Sequence, residues 1–225
     1  ALEMALARIR QLSAHEVGHT IGLAHNFAAS SKGRSSVMDY PHPTLSLNNG
    51  EVDFTDAYDT KIGDWDKVSI AYSYSEFKTD EDANLKSILN DAFNNGARFI
   101  TDQDARPLGS AHAYAHLWDN GSDVSVELEN LLLIRKNAIA NFSKDNIKSN
   151  QPYSVLEDVF VPLYFLHRYQ TEGVAKVIGG LDYTYAIKDD GNTIVKRIPG
   201  KLERKALASV IKPLSVEELA IPKKI

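Results

Sequence analysis

The stretch from His15 to His25, HEVGHTIGLAH, constrains the fold of this chain more than any other feature. The residues before it, LEMALARIRQLSA, are good helix formers, so we expect a helix over residues 1–24 that closes at Gly22. On that helix His15 and His19 are four residues apart and are therefore neighbours on one face. Gly22 tolerates the positive φ that ends many helices. A reversal there would bring His25 to the other two imidazoles.

This spacing is typical of a catalytic zinc site. Three neutral imidazoles and one water form an open tetrahedral site, so we predict Zn²⁺ held by His15, His19 and His25. Glu16 points about a quarter turn away from His15, which places its carboxylate beside the water and makes it a candidate general base. A bare HExxH occurs by chance, but the glycine and the third histidine at fixed offsets make the longer pattern specific.

A second motif follows after a loop rich in serine and glycine. HEVGHTIGLAH resembles the zinc motif of the metzincin metalloproteases, and residues 36–40, SVMDY, resemble their Met-turn. The resemblance implies that Met38, one of two methionines, forms an apolar floor under the histidines. It also implies that Tyr40 helps to stabilise the oxyanion. From the residues alone, Met38 can be an ordinary core methionine and Tyr40 a packing residue.

With Asn26 after the third histidine, the likeness is greatest to bacterial zinc-dependent Met-zincin metalloproteases. It extends through IGDWDKVSIAYSY and VFVPLYFLHRYQ to most of the chain. The family implies a zinc-dependent metalloendopeptidase that acts on peptide or protein substrates, and it favours the bacterial envelope, the periplasm or secretion. Two alternatives stay open. One is a non-catalytic helical binding or scaffold module with a vestigial zinc site, and the other is a metal-dependent hydrolase of non-peptide substrates.

Composition narrows the other possibilities. The 225 residues carry a net charge of −5 without a basic tract, which disfavours a nucleic-acid partner. No stretch approaches about 20 continuous apolar residues, so we expect no membrane span. The absence of cysteine excludes disulfides, thiolate metal ligands and a thiol nucleophile.

The predicted fold is mainly α. Residues 1–50 would form the zinc helix and the Met-turn segment of the catalytic domain, and residues 51–225 a largely helical C-terminal subdomain packed with it as one unit. The helical segments, found by apolar spacing and capping residues, are a helix that starts near Thr60 or Asp64 and runs to Tyr74, Glu81–Asn94, Val124–Phe142, Tyr153–Gln170 with a kink or boundary at Pro162, Arg204–Ile211 and Ser215–Ala220. YTYAIKDDGNTIVKRI predicts a β-hairpin, and PHPTLSLNNGEVDF a surface loop.

The resemblance also sets an expectation about what is missing. Metzincins place a mixed β-sheet before the zinc helix, and its edge strand holds the extended substrate. No such sheet precedes the helix in this sequence, so we expect the N-terminal part of a longer parent protein to complete the cleft.

Three further groups of polar residues need an interpretation. Asp102 and Asp104 in TDQD suit either a solvated turn or a calcium site. His112 and His116 have metal-ligand spacing, but no third ligand stands near them. His42, between two prolines, either faces the cleft or stabilises a rigid loop.

Overall fold

The computed structural model describes residues 2–192 and 194–222, and helices dominate this part of the chain. The prediction of a mainly α fold is therefore confirmed. The helices and strands, in chain order, are α1 (Leu2–Thr20), β1 (Ser46–Asn48), β2 (Glu51–Asp53), α2 (Asp64–Tyr74), α3 (Glu81–Asn94), α4 (Asp102–Ala105), α5 (Val124–Asn141), α6 (Val155–Tyr164), α7 (Arg168–Ala175), β3 (Leu181–Tyr183), β4 (Val195–Arg197), α8 (Gly200–Ile211) and α9 (Val216–Leu219).

Helix α1 ends in the reversal that the glycine predicts. Gly22 has φ 84°, and its N–H donates to the carbonyl of His19 at 3.0 Å, while the N–H of Leu23 donates to the carbonyl of Gly18 at 3.0 Å. These two bonds form the Schellman motif, which satisfies the last carbonyls of a helix when the residue after it is left-handed. The chain therefore turns back toward the helix immediately after His19.

The buried face of α1 differs from the predicted one. Ala14, Val17, Gly18 and Ile21 follow the i, i+3, i+4, i+7 spacing that predicts a stripe facing a core, but Val17 is 58% exposed. The residues of α1 that are buried share the spacing i, i+4, i+7 on a neighbouring stripe: Gln11, His15 and Gly18. Polar residues occupy two of these positions because their side chains bond to the Met-turn, so apolar spacing alone could not identify the face.

A short hairpin replaces part of the expected surface loop after the Met-turn. Strands β1 and β2 pair antiparallel with Leu47 opposite Val52, and Asn49 and Gly50 between them both have positive φ. Asn-Gly is a strong type I′ hairpin signal, so the prediction of a surface loop was wrong for the residues of β1 and β2, for a reason visible in the sequence.

Helix α2 fixes the position of the Met-turn. The Asp66 carboxylate, 1% exposed, accepts hydrogen bonds from the Gly63 N–H at 2.6 Å, the Val37 N–H at 2.8 Å and the Ser36 hydroxyl at 2.6 Å. The first of these bonds caps the start of α2, and the other two hold the loop that precedes Met38. One buried side chain thus couples a helix start to the turn below the histidines.

The C-terminal half packs around the middle of α5. Leu128 and Leu132 of α5 contact Val174 of α7, Ala206 of α8 and Ile198 in a buried apolar cluster. Full burial of a leucine of this kind contributes about 2 kcal/mol. At the start of α5 the Asp123 side chain accepts from the N–H groups of Ser125 and Val126, which is the N-cap that an aspartate before a helix favours.

The predicted helix from Tyr153 to Gln170 is two helices. Helix α6 ends at Tyr164, two residues after Pro162, and α7 begins at Arg168. Proline removes one backbone donor and its ring crowds the carbonyl four residues earlier, so the helix cannot continue regularly past it. The break between Phe165 and His167 leaves a concave surface at this corner of the fold.

The predicted C-terminal hairpin forms with shorter strands than expected. β3 and β4 pair antiparallel over three residues each, with Asp182 opposite Lys196. Asp190 and Gly191 lie in the connection as predicted, whereas Thr193, which belongs to the same predicted hairpin, lies outside the described residues.

Contacts join the two predicted parts of the chain. The Phe27 N–H donates to the carbonyl of Ile100 at 2.8 Å, and the Trp65 N–H donates to that of Ser35 at 2.8 Å. The division at residue 50 stays a prediction. Among the described residues, no helix combines the length and the apolar character needed to cross a bilayer.

We expect Asp66→Ala to destabilise the protein by about 3 kcal/mol, because three donors lose their buried acceptor. Asp64→Ala, which removes an exposed carboxylate of the same helix, should change stability far less. Denaturant unfolding monitored by circular dichroism measures both variants. Equal losses would show that the Asp66 hydrogen bonds are not what holds the turn.

Candidate metal centre

Three histidines converge at the end of α1. The Nε2 atom of His19 lies 3.1 Å from the Nε2 atom of His15 and 3.1 Å from that of His25. Among the described residues, these three form the one group of at least three His, Asp or Glu side chains whose ligand atoms lie close enough together to hold a metal ion. Two come from α1 and the third from the irregular segment that follows the reversal at Gly22.

The opposite nitrogen of each ring has an acceptor. Nδ1 of His15 donates to the carbonyl of Val37 at 2.7 Å, and Nδ1 of His19 to the carbonyl of Leu23 at 3.0 Å. Nδ1 of His25 donates to the carboxylate of Asp102 at 2.8 Å. Because a carbonyl or carboxylate oxygen can only accept, each Nδ1 carries the hydrogen and each neutral ring presents a lone pair at Nε2.

This arrangement fits a zinc ion. Three lone pairs at such distances repel one another unless a cation lies between them. A tetrahedral zinc ion with ligands at about 2.0–2.1 Å sets its nitrogen ligands roughly 3.3–3.4 Å apart, close to the observed 3.1 Å. Hydrogen bonds from the distal nitrogen to a carbonyl or carboxylate are the usual support of a metal-binding histidine. The three histidines can therefore hold a metal, and their chemistry suits zinc.

Burial and hydrogen bonding adjust the charge of the site. Burial lowers the pKa of His15 below its usual value, against the opposing effects of the Val37 carbonyl and Glu16, and so favours the neutral ring that a metal needs. Burial alone would raise the pKa of Asp102, but hydrogen bonds from His25 and Arg106 outweigh it and hold that pKa below its usual value. Asp102 therefore stays ionised as an acceptor for His25.

The position of Asp102 was not found from the sequence. We considered a solvated turn or a calcium site for Asp102 and Asp104, and neither describes them. Asp104 accepts from the hydroxyls of Tyr183 at 2.6 Å and Tyr185 at 2.8 Å. Asp102 reaches His25 because the buried Asn26 side chain accepts from the Ile100 N–H at 3.2 Å and donates to the Arg98 carbonyl at 2.8 Å.

Met38 packs directly beneath α1. It is 1% exposed, and a Cβ atom added to Gly18 would lie 2.3 Å from its sulfur. A glycine at position 18 is therefore required for the approach of Met38 to the helix, three residues after His15 and directly before His19. The placement agrees with the expected apolar floor, while the functional role of Met38 stays a prediction.

Tyr40 lies against the histidines and is held by an arginine. Its ring centroid is 4.8 Å from that of His25 and 5.5 Å from that of His15. A guanidinium N–H of Arg106 donates to its hydroxyl oxygen at 2.9 Å, and the same guanidinium binds Asp102. Arg106 thus links the acceptor of His25 to the phenol of Tyr40, and nothing in the sequence had indicated this connection.

The other candidate residues lie in different surroundings. Glu16 is exposed on α1 beside His15. His112 uses both nitrogens, since Nε2 donates to the Tyr183 carbonyl at 2.9 Å and Nδ1 accepts from the Tyr114 N–H at 3.2 Å, so it cannot bind a second metal. The His42 Nδ1 donates to the Pro43 carbonyl at 3.1 Å.

Two buried carboxyl groups lie behind the Met-turn. Asp39 accepts from the N–H groups of Ser30 and Tyr40, and Asp119 is 2% exposed. Both line a small cavity of about 30 Å³. Burial raises the pKa of both groups, to about 7 for Asp119, and the Asp119 charge raises that of Asp39 further.

Comparison with known families agrees with the geometry. A family model described as Met-zincin matches residues 1–225, the whole chain. The chain belongs to the Met-zincin family. Comparison with curated proteins and with solved structures finds no match. The match covers the segment that carries His15, His19 and His25, which form the one possible metal-binding group among the described residues.

We expect Asp102→Asn to weaken zinc binding by this Met-zincin by about tenfold or more, because His25, a predicted ligand, loses its charged acceptor. Asp104→Asn is a matched control, since Asp104 lies two residues away and bonds to tyrosines instead. Titration against a competing chelator measures both affinities. Equal affinities in the two variants would contradict the role given to Asp102.

A second expectation concerns the pH dependence of stability. The native state keeps the Asp119 proton up to about pH 7, whereas the unfolded state releases it near pH 4. The free energy of unfolding therefore falls as pH rises through this window. Asp119→Asn should make the free energy of unfolding depend less on pH, so that the variant becomes more stable relative to wild type as the pH approaches about 8. Denaturant unfolding of both proteins in the presence of a chelator across this pH range tests the expectation. A difference in free energy of unfolding between them that does not change with pH would contradict it.

Proposed function

We propose that this Met-zincin is a zinc-dependent metalloendopeptidase. The observation that carries the proposal is the set of three Nε2 lone pairs facing one point, with every Nδ1 already bound to an acceptor. His15, His19 and His25 would hold the ion and leave one position open, as catalytic zinc sites do. When bound, zinc supplies Lewis acidity that polarises a peptide carbonyl and lowers the pKa of a water molecule to about 7.

Glu16 acts as the general base. Its carboxylate lies next to His15 in sequence and is exposed at the end of α1, so a substrate and a water can reach it. It takes a proton from the attacking water and passes that proton to the nitrogen of the leaving amine. Both transfers use the same carboxylate, so one residue serves as base and then as acid.

Tyr40 stabilises the developing oxyanion. Arg106 donates to the phenol oxygen, so the phenol hydrogen stays free to donate to the oxygen of the substrate carbonyl. The packing of the ring against His15 and His25 limits its freedom and so reduces the reorganisation needed during the reaction. Met38 supports the helix that carries two of the three histidines.

A further segment of protein would complete the cleft. Apolar side chains of α1 stay exposed along the helix that leads to Glu16, among them Ile9 and Val17 at 58% each. Such a surface is suited to packing by another protein segment.

We expect Glu16→Gln to bind zinc with unchanged affinity and to lose about 100-fold or more in the rate of peptide hydrolysis, because the amide cannot accept the proton. Glu3→Gln removes an exposed carboxylate from the same helix and should keep full activity. Zinc content by metal analysis and cleavage of casein or a quenched peptide give the two measurements.

The outcomes separate the alternatives. Hydrolysis that persists in Glu16→Gln would exclude Glu16 as the base. Zinc bound at full occupancy by the wild-type protein, with no cleavage of any peptide, would favour the non-catalytic binding module. Cleavage of ester or amide substrates other than peptides would favour a different hydrolase with the same ligands.

A further inference from the structure

A second concave surface lies close to the metal centre. The break between α6 and α7 borders a pocket of about 340 Å³. The residues around it that bear on its chemistry combine aromatic and apolar walls with one cation: His42, Trp118, Pro162, Phe165, Arg168 and Tyr169. It contains none of the three histidines that form the metal centre.

Tyr40 connects this pocket to the histidines. Its ring contacts His25 on one side at 4.8 Å and Trp118 on the other at 5.1 Å between ring centroids. The backbone N–H of Trp118 donates to the backbone carbonyl of Tyr40 at 2.9 Å. An extended peptide advances about 3.3–3.6 Å per residue, so a substrate bound at the histidines reaches the pocket within about three residues.

Trp118 has an unusual backbone conformation. Its φ is 63°, in the left-handed region that a bulky side chain rarely adopts. The hydrogen bond to Tyr40 and the ring contacts with Tyr40 and Tyr169 hold it there. Strained residues of this kind often occur where a side chain must face a ligand, and here the indole forms one wall of the pocket.

Arg168 provides the charge. Its guanidinium donates to the Tyr169 hydroxyl at 2.9 Å and lies 4.4 Å above that ring. No carboxylate of the described residues pairs with it, and Glu172, one turn further along α7, lies 3.3 Å from His116 instead. Other arginines among the described residues do pair with a carboxylate: Arg34, Arg98, Arg106 and Arg135. A guanidinium without a carboxylate partner keeps N–H groups whose geometry matches a carboxylate.

We propose that the pocket binds an acidic side chain of the peptide substrate, within about three residues of the scissile bond. Arg168 pairs with the carboxylate, and Trp118, Pro162 and Phe165 cover the methylene groups that carry it. A glutamate satisfies both features, because its short apolar stem ends in an anion. This inference rests on the proposed peptidase function and adds a substrate class to it.

Blocked peptides that differ at a single position test the charge preference. Glutamate, glutamine and lysine are each placed at the three positions on either side of a central peptide bond. Their affinities for the zinc-loaded Glu16→Gln protein are measured by calorimetry, and their cleavage by the wild-type protein is measured separately. We expect the glutamate peptide to bind about fivefold more tightly than the glutamine peptide at one of these positions.

Two substitutions of the exposed Arg168 should change the peptide preference in different ways. Arg168→Gln should remove the glutamate preference, and Arg168→Glu should replace it with a preference for lysine. Arg197→Gln, which removes an exposed arginine on β4, should keep the wild-type preference. Reversal by the charge-swapped variant cannot arise from misfolding, because it requires a gain in affinity for one peptide.

The two proposals fail in different ways. Equal binding of all peptides by the protein with Arg168 intact would overturn the proposed pocket for an acidic side chain. Loss of the glutamate preference in Arg197→Gln as well would also overturn it. Cleavage without any charge preference would overturn the pocket and keep the peptidase. Selective binding of the glutamate peptide without cleavage of any peptide would support the pocket and count against the peptidase.

Discussion

The mutual repulsion of three imidazole lone pairs is the constraint on which this site depends. His19 Nε2 lies 3.1 Å from two other Nε2 atoms, and neutral rings in this arrangement have no attraction for each other. They are held by what lies behind them: two backbone carbonyls and one carboxylate, each fixing the ring orientation and the tautomer. The fold thus places the donors in advance, and a cation between them removes the repulsion.

The three acceptors differ in their sequence separation from the histidines that they hold. Leu23 belongs to the same reversal as His19, so the turn at Gly22 both brings His25 back and supplies an acceptor. Val37 comes from the Met-turn, which Asp66 of α2 holds through two hydrogen bonds. Asp102 comes 77 residues after His25 and depends on Asn26 and the segment at Ile100. Increasing separation makes each support more dependent on the tertiary fold.

These differences in sequence separation explain which features the sequence could predict. The helices, the reversal and the convergence of the histidines follow from local spacing, which fixes geometry over a few residues. The buried stripe of α1 was wrong because Gln11 and His15 are buried by bonds to the Val37 carbonyl rather than by apolarity. The roles of Asp102 and Arg106 were not found, because one sequence carries no signal for side chains that meet only through long-range packing. The hairpin at Asn49-Gly50 was overlooked although its turn residues indicated it.

Tyr40 is the point where these supports and the proposed substrate pocket meet. Its phenol receives a hydrogen bond from Arg106, which also binds the acceptor of His25, and its ring and carbonyl hold Trp118. Loss of the Asp102 charge would therefore weaken the support of His25 and of Arg106, which in turn holds the phenol of Tyr40. Since the Trp118 backbone is held against its own preference by the Tyr40 carbonyl, displacement of Tyr40 would also release the indole wall. The proposed oxyanion contact and the proposed side-chain selection would therefore both depend on Tyr40 staying in place, and Arg106 links Tyr40 to the carboxylate that holds His25.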